Sequence, residues 1–145
     1  MSYVFWTASC VFIADRITKI VIYNTLSGSG PVAVIPGIFH LTLVLNKGVA
    51  FGLFRDQQAF FIVFSVIAAL SLTAYALIRR AGDPLFALSL GLVLGGALGN
   101  LADRLRFGCV IDFLDFRIWP VFNVADSCIT VGAVILALRL LKHKT

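Results

Sequence analysis

Asp112 and Asp126 stand fourteen positions apart in a chain that is otherwise built for lipid. Asp112 lies in Val110-Ile111-Asp112-Phe113, and Asp126 closes Phe122-Asn123-Val124-Ala125-Asp126 at the entrance to the last apolar segment. Carboxylates near hydrocarbon are expensive, so an unforced pair there points to chemistry. In a poorly hydrated pair one member ionises and the other keeps its proton, because two adjacent negative charges repel. The ionised member can take a proton from water while the protonated one hydrogen-bonds the carbonyl under attack. Hydrolysis of a carbonyl compound then needs neither a metal nor a covalent intermediate. Spacing alone does not bring the two together. An outer loop folding back over the entrance to the last segment would do so; the alternative is a pair of helix-end carboxylates solvated at the interface.

Other polar residues carry weaker signals. Asp103-Arg104 reads as an ion pair at a helix end, with Arg104 also able to present a planar donor fork to a peptide or a headgroup. Asp15 and Lys19 stand four apart on one face of the first apolar segment, in the favourable order for a local pair. They can equally be intramembrane charges turned toward a functional interior. Asn46 and Asn123 are loop caps or substrate contacts. Ser127 and Cys128 adjoin Asp126, but His40 and His143 lie elsewhere in the sequence, which disfavours a nucleophile–histidine triad. Two isolated histidines and three cysteines without a CxxC disfavour a metal site and a disulfide framework. Cys10 and Cys128 read as small hydrophobes, and Cys109 as a residue of a polar loop. No cofactor is called for.

The elements that must position these groups follow from composition. Of 145 residues, 60% are hydrophobic and 13% charged; such a chain is an all-α, multi-pass membrane protein forming a single domain. Four transmembrane helices are expected at about 3–23, 57–78, 85–101 and 126–141. The first is interrupted by Asp15, Arg16 and Lys19 and reads as a retained span, not a removable signal peptide. The second and third carry no charge. Gly91, Gly95 and Gly99 share one face of the third and permit close helix approach; no Gly-Lys-Ser/Thr follows, so a phosphate loop is excluded. The last span is short, with polar ends at Asp126, Arg139 and Lys142 that can snorkel.

A tight turn, Arg79-Arg80-Ala81-Gly82-Asp83-Pro84, joins the middle spans, and two long loops make the other connections. In the first, Phe39, Leu41, Leu43 and Leu45 alternate with His40, Thr42, Val44 and Asn46, after a Pro36-Gly37 turn from Val32–Ile35. This predicts a small extracytoplasmic β-sheet within 32–52, lying on the membrane surface or covering a groove. The net charge of +5 does not argue for nucleic acid, since no basic run exceeds two residues. Its placement beside apolar segments fits lipid headgroups. Basic residues number five on each side, but those of the turn and tail (Arg79, Arg80, Arg139, Lys142, Lys144) are denser and face one acidic residue. The long loops offset Lys47, Arg55, Arg104, Arg106 and Arg117 with Asp56, Asp103, Asp112, Asp115 and Asp126. Both termini are therefore expected in the cytoplasm, with the aspartate pair facing outward. A transporter subunit and a non-catalytic assembly subunit are the competing readings; against the first stand the short chain and the absence of an inverted repeat.

Five blocks in order resemble the lipoprotein signal peptidase (signal peptidase II) family, from Asp15 to about Gly132. They are Asp15-Arg16-Ile17-Thr18-Lys19, Asn46-Lys47-Gly48-Val49-Ala50-Phe51-Gly52, Gly95-Gly96-Ala97-Leu98-Gly99-Asn100-Leu101-Ala102-Asp103-Arg104, Gly108-Cys109-Val110-Ile111-Asp112-Phe113 and Phe122-Asn123-Val124-Ala125-Asp126-Ser127. Arg16 stands where the family often has Gln, Val49 where Ala is usual, and Cys109 at a variable position. The resemblance implies an aspartic endopeptidase of the bacterial cytoplasmic (inner) membrane. Such an enzyme removes the signal peptide from diacylglyceryl-modified prolipoproteins, cutting before the lipidated cysteine. It implies Asp112 and Asp126 as the catalytic dyad, Asn46, Asn100, Arg104 and Asn123 as substrate-binding, and Asp15, Lys19 and Asp103 as supporting. It further implies no metal, membrane lipids as the other partners, and a monomer.

Overall fold

The computed structural model describes residues 2–48, 58–78 and 83–142. Met1, 49–57, 79–82 and 143–145 lie outside the described residues. With them go the Arg79-Arg80 turn, Arg55 and Asp56, the expected start of the second span, the second half of the Asn46–Gly52 block, and His143 and Lys144 of the tail.

The helices are α1 (Ser2–Leu26), α2 (Gln58–Ile78), α3 (Pro84–Phe107) and α4 (Val124–Lys142), and the strands are β1 (Val32–Ile35), β2 (Phe39–Asn46) and β3 (Val110–Asp115). Among the described residues three helices, α2, α3 and α4, are long and apolar enough to cross a membrane. Large side chains such as Phe60, Phe64 and Leu70 on α2, and Val134 and Leu138 on α4, are exposed, as expected of surfaces that meet acyl chains.

The third helix is the hub. Asp83 caps its start by accepting from the Leu85 amide at 3.0 Å, and Pro84 takes the first helical position. It ends at Gly108, whose φ of 68° closes the helix with an N–H bond to the Arg104 carbonyl at 3.1 Å. The helix therefore runs past the expected end at 101 and carries Asp103 and Arg104 within it. Its glycine stripe meets α1. A Cβ on Gly91 would stand 2.5 Å from the Thr7 Cβ, one on Gly95 2.5 Å from the Ala8 carbonyl oxygen, and one on Gly99 2.6 Å from Asp15 Oδ2. Another face meets α4, where Gly96 would collide with the Ala125 carbonyl at 2.6 Å. The contact order, Thr7 to Gly91 and Asp15 to Gly99, makes α1 and α3 parallel. Gly96 beside Ala125 and Ser89 beside Gly132 makes α3 and α4 antiparallel. Small residues thus let backbones touch where no hydrophobic force would drive helices together in lipid.

The sheet is not confined to the first loop. Its order is β1-β2-β3, all antiparallel, so its third strand comes from the second loop. The period-two reading of β2 also needs correction. Leu41 pairs with Leu114 but Val44 pairs with Asp112, so β2 spends one extra residue in a bulge. Without it, Leu43 would share the face of Asp112; with it, Val44 does, and Asn46 follows two residues on. Leu41 and Leu43 pack with Ile22, Leu26 and Phe113, which seats the sheet on α1, while Leu45 is left exposed.

Candidate active site

Three unrelated local structures deliver the polar residues to one place. The bulge aims Asn46 at Asp112, where its amide donates to Oδ2 at 2.9 Å. The start of α4 supplies a reciprocal cap: Asn123 Oδ1 accepts from the Asp126 amide at 2.9 Å, and Asp126 Oδ2 accepts from the Asn123 amide at 3.2 Å. The penultimate turn of α3 presents Asn100, whose Nδ2 donates to Asp126 Oδ1 at 2.7 Å.

Asn123 joins the two acids. It caps the helix that carries Asp126, and its Nδ2 donates to Asp112 Oδ1 at 2.6 Å and to Asn100 Oδ1 at 3.1 Å. Asp112 and Asp126 are therefore neighbours, and they line the same cleft of about 810 Å³. Every carboxylate oxygen of the pair accepts from an amide, and among the described residues none is ion-paired. Burial pushes the Asp112 carboxyl up to about 7; the nearby Asp126 charge adds to the rise, and the Asn46 and Asn123 amides oppose it. A carboxyl near 7 beside a second carboxylate is poised to hold one shared proton at neutral pH.

Behind this pair lies a closed cluster of four charges. Lys19 Nζ reaches Asp15 Oδ2 at 2.9 Å, Asp103 Oδ2 at 2.8 Å and Asn100 Oδ1 at 2.9 Å. Arg16 bridges Asp103 at 2.6 Å and Asp15 at 2.9 Å and donates to the Gly99 carbonyl. The Asp15–Lys19 pair is thus local, as its spacing predicts, but it is half of a larger unit. Asp103 does not pair with Arg104; its cationic partners come from α1, and the Ile111 amide of β3 donates to its Oδ2 at 3.2 Å. Lys19 has only donors to offer, so Asn100 must turn its oxygen to Lys19 and its NH₂ to Asp126. The cluster thereby fixes the amide that holds one acid.

Arg104 points into the cleft, with its guanidinium 5.4 Å from the Phe61 ring centroid. The cleft lies between α2 and α4, which pack on either side of α3. Phe60, Phe61 and Phe64 of α2 form one wall, Ala97 and Asn100 of α3 the floor, and Ile129 of α4 the other wall. Ser127 Oγ is spent on the Asn123 carbonyl at 3.0 Å. Cys109 is not in an open polar loop: it is 6% exposed, and burial pushes its thiol up. Three contributors escaped the sequence reading. Arg16 was visible as a charge interrupting the first span and as a departure from a family pattern, without a partner or a role. The β3 strand was signalled by the run Val110-Ile111-Asp112-Phe113-Leu114, and the aromatic wall by the helical spacing of Phe60, Phe61 and Phe64.

A small, mostly helical protein with apolar membrane-capable helices, a three-stranded sheet and a carboxylate pair in a cleft defines a narrow class. The sequence profile of signal peptidase (SPase) II matches residues 7–142. A lipoprotein signal peptidase of Halothermothrix orenii is 45% identical over 130 residues, covering 90% of this chain and 89% of its own. One of Moorella thermoacetica is 46% identical over 134 residues, covering 92% and 89%. A solved bacterial membrane enzyme, determined in meso at 2.3 Å resolution, superposes with a TM-score of 0.90 at 30% identity, covering 100% of this chain and 91% of that one. The chain belongs to the signal peptidase II family: it is a protease of lipoprotein signal-peptide processing.

Proposed function

We propose that this chain is an aspartic endopeptidase that cuts diacylglyceryl-modified prolipoproteins before the lipidated cysteine, with Asp112 and Asp126 as its catalytic dyad. The observation that carries this reading is the meeting of two acids across Asn123 in one cleft, with amide partners and, among the described residues, no ion pair. The ionised member takes a proton from water as the water oxygen adds to the scissile carbonyl. The protonated member gives its proton to the carbonyl oxygen. Collapse of the tetrahedral adduct breaks the C–N bond as one hydroxyl proton returns to the acid that supplied it, and the amine leaves with the proton the base had taken. The two acids titrate as a unit, so neither is assigned base or acid alone.

Asn46, Asn100 and Arg104 are the substrate-facing polar residues; Asn123, expected among them, is fully buried and off the cleft lining, so it joins Asp15, Lys19 and Asp103 as support by holding the two acids. The cleft between α2 and α4 is walled by exposed phenylalanines, which suits acyl chains that stay among lipids while the peptide reaches the acids. We read α1 as the fourth span. At 25 residues it is about 37 Å long, ample for a hydrocarbon core of about 30 Å. Its charges are no bar, since Asp15, Arg16 and Lys19 are compensated with Asp103 inside the protein. The whole chain, 1–145, is then one monomeric domain of the bacterial inner membrane. Both termini are cytoplasmic, and the acids lie at the outer interface.

The test is incubation of the purified protein with a diacylglyceryl-modified prolipoprotein peptide and its unlipidated twin. Only the lipidated peptide should be cut, and Asp112→Asn or Asp126→Asn should lower the rate about a thousandfold or more. Near-native turnover by either variant removes that residue from the dyad. Equal cutting of both peptides refutes the lipid requirement.

A further inference from the structure

One end of the surface sheet is apolar where a soluble turn would be polar. His40 pairs with Asp115, so the Pro36–Ile38 turn and the loop after β3 lie at the same end. The ring of Phe39 stands 4.8 Å from that of Phe116, joining the two loops. At this tip Ile38, Phe116, Ile118 and Trp119 are all exposed, Ile118 at 93% and Trp119 at 64%.

The tip is held out by specific contacts. Arg117 adopts φ 66°, which disfavours any side chain; the other residues with positive φ among those described are glycines. Asp115 holds it there by accepting from the Arg117 amide at 2.8 Å and from its guanidinium at 3.3 Å. Thr42 of β2 holds Asp115 in turn at 2.8 Å. Phe116 is clamped between Phe39 and Phe122, the latter at 5.9 Å. Such strain is retained where the surroundings over-determine it. Here the constraint leaves two large apolar side chains, Ile118 and Trp119, exposed.

The tip's depth follows from the cleft. Trp119 lines it together with Phe60 and Phe64 of α2 and Ile129 of α4. The loop is therefore level with the apolar ends of helices able to cross a membrane, not out in bulk water. Tryptophan with a neighbouring arginine is the composition of a membrane–water boundary, where the indole sits at headgroup depth and the guanidinium meets phosphate.

We propose that the Ile38 and Phe116–Trp119 tip is seated in the headgroup–acyl boundary of the lipid bilayer and forms a lipid-embedded lip of the cleft. This rests on the membrane reading above and not on the dyad. Trp119 then guards the place where a chain would pass from lipid into the cleft.

The chain has two tryptophans, Trp6 and Trp119, so the test is direct. A Trp6→Phe protein in phosphatidylcholine–phosphatidylglycerol vesicles isolates Trp119. Its emission should fall by roughly half with bromine on the acyl carbons nearest the headgroup, less with bromine deeper, and little with aqueous iodide. A Trp119→Phe protein reports Trp6 alone, and its difference from the unaltered protein recovers Trp119 should the first variant not fold. Quenching of Trp6 by bromolipid with Trp119 quenched by iodide alone overturns the lip and leaves the membrane reading standing. Failure of bromolipid to quench either residue overturns both.

Discussion

Four aspartates meet where α1, α3, α4 and the sheet converge, and they differ in what stands opposite them. Asp15 and Asp103 are fully buried, yet each touches both Lys19 and Arg16, so two negative charges face two positive ones. Asp112 is as deeply buried and Asp126 partly so, but their nearest partners are the amides of Asn46, Asn100 and Asn123. The same side chain is thus structural in one half of the network and chemically available in the other. Burial is common to both halves; the counter-charge is what separates them. An amide orients a carboxylate without discharging its need for a proton, whereas an ammonium or guanidinium satisfies the charge outright.

The comparison breaks most visibly at Lys19. Lys19→Met leaves Asp15 and Asp103 facing one cation and the Asn100 oxygen with Asn123 as its remaining donor. Removing one partner of a buried charge cluster costs about 3–5 kcal/mol, a large share of the stability of a chain this size. The expected outcome is a protein that is cleared from the membrane or unfolds at markedly lower temperature in detergent, read by thermal scanning. A Lys19→Met protein as stable as the original would place the balance of the cluster elsewhere.

The open half should reveal itself through pH. The Asp112 carboxyl sits at about 7 in the folded chain against about 4 when unfolded. Between those values the folded state holds the proton and the unfolded state does not, so stability falls as pH rises through that window. Thermal unfolding should therefore be easier at pH 8 than at pH 5, by an amount on the order of 2–3 kcal/mol at most. Asp112→Asn, which cannot titrate, should flatten that slope. If the variant keeps the full slope, another group is its source.

Much of this was legible in the sequence, and the gaps have physical causes. Hydropathy located the helices because apolar length is a one-dimensional property. The glycine stripe foretold a close helix contact, though not that α1 makes it, because four-residue spacing keeps one helix face. Pairing across the chain was not legible. Asp103 has a cation next door in Arg104, and sequence proximity favours that pair, but helical geometry sends adjacent side chains apart and Asp103 inward to α1. The β2 bulge was hidden because one extra residue leaves the alternating pattern of the strand intact and changes only which face meets Asp112. The capping relation of Asn123 and Asp126 was readable as Asn-x-x-Asp; what no spacing reveals is that the same asparagine also reaches Asp112.

Arg16 gives the smallest effect and the sharpest distinction between the two halves. It touches neither acid of the cleft, yet it supplies one of the two positive charges that neutralise Asp15 and Asp103. Arg16→Gln keeps donors for Asp103 and the Gly99 carbonyl but leaves the cluster with one negative charge in excess. That charge lies behind Asn100, which hydrogen-bonds Asp126. A nearby negative charge favours the protonated form of the acids, so the shared proton is held to higher pH. Cleavage should decline on the alkaline side as that proton is lost, and in Arg16→Gln the decline should begin a few tenths of a pH unit later, since the field acts through a hydrogen-bonded layer. A merely structural arginine would lower the rate at every pH and leave the position of the limb unchanged. A shift to lower pH has the wrong sign for an added negative charge and would overturn the coupling between the cluster and the acids.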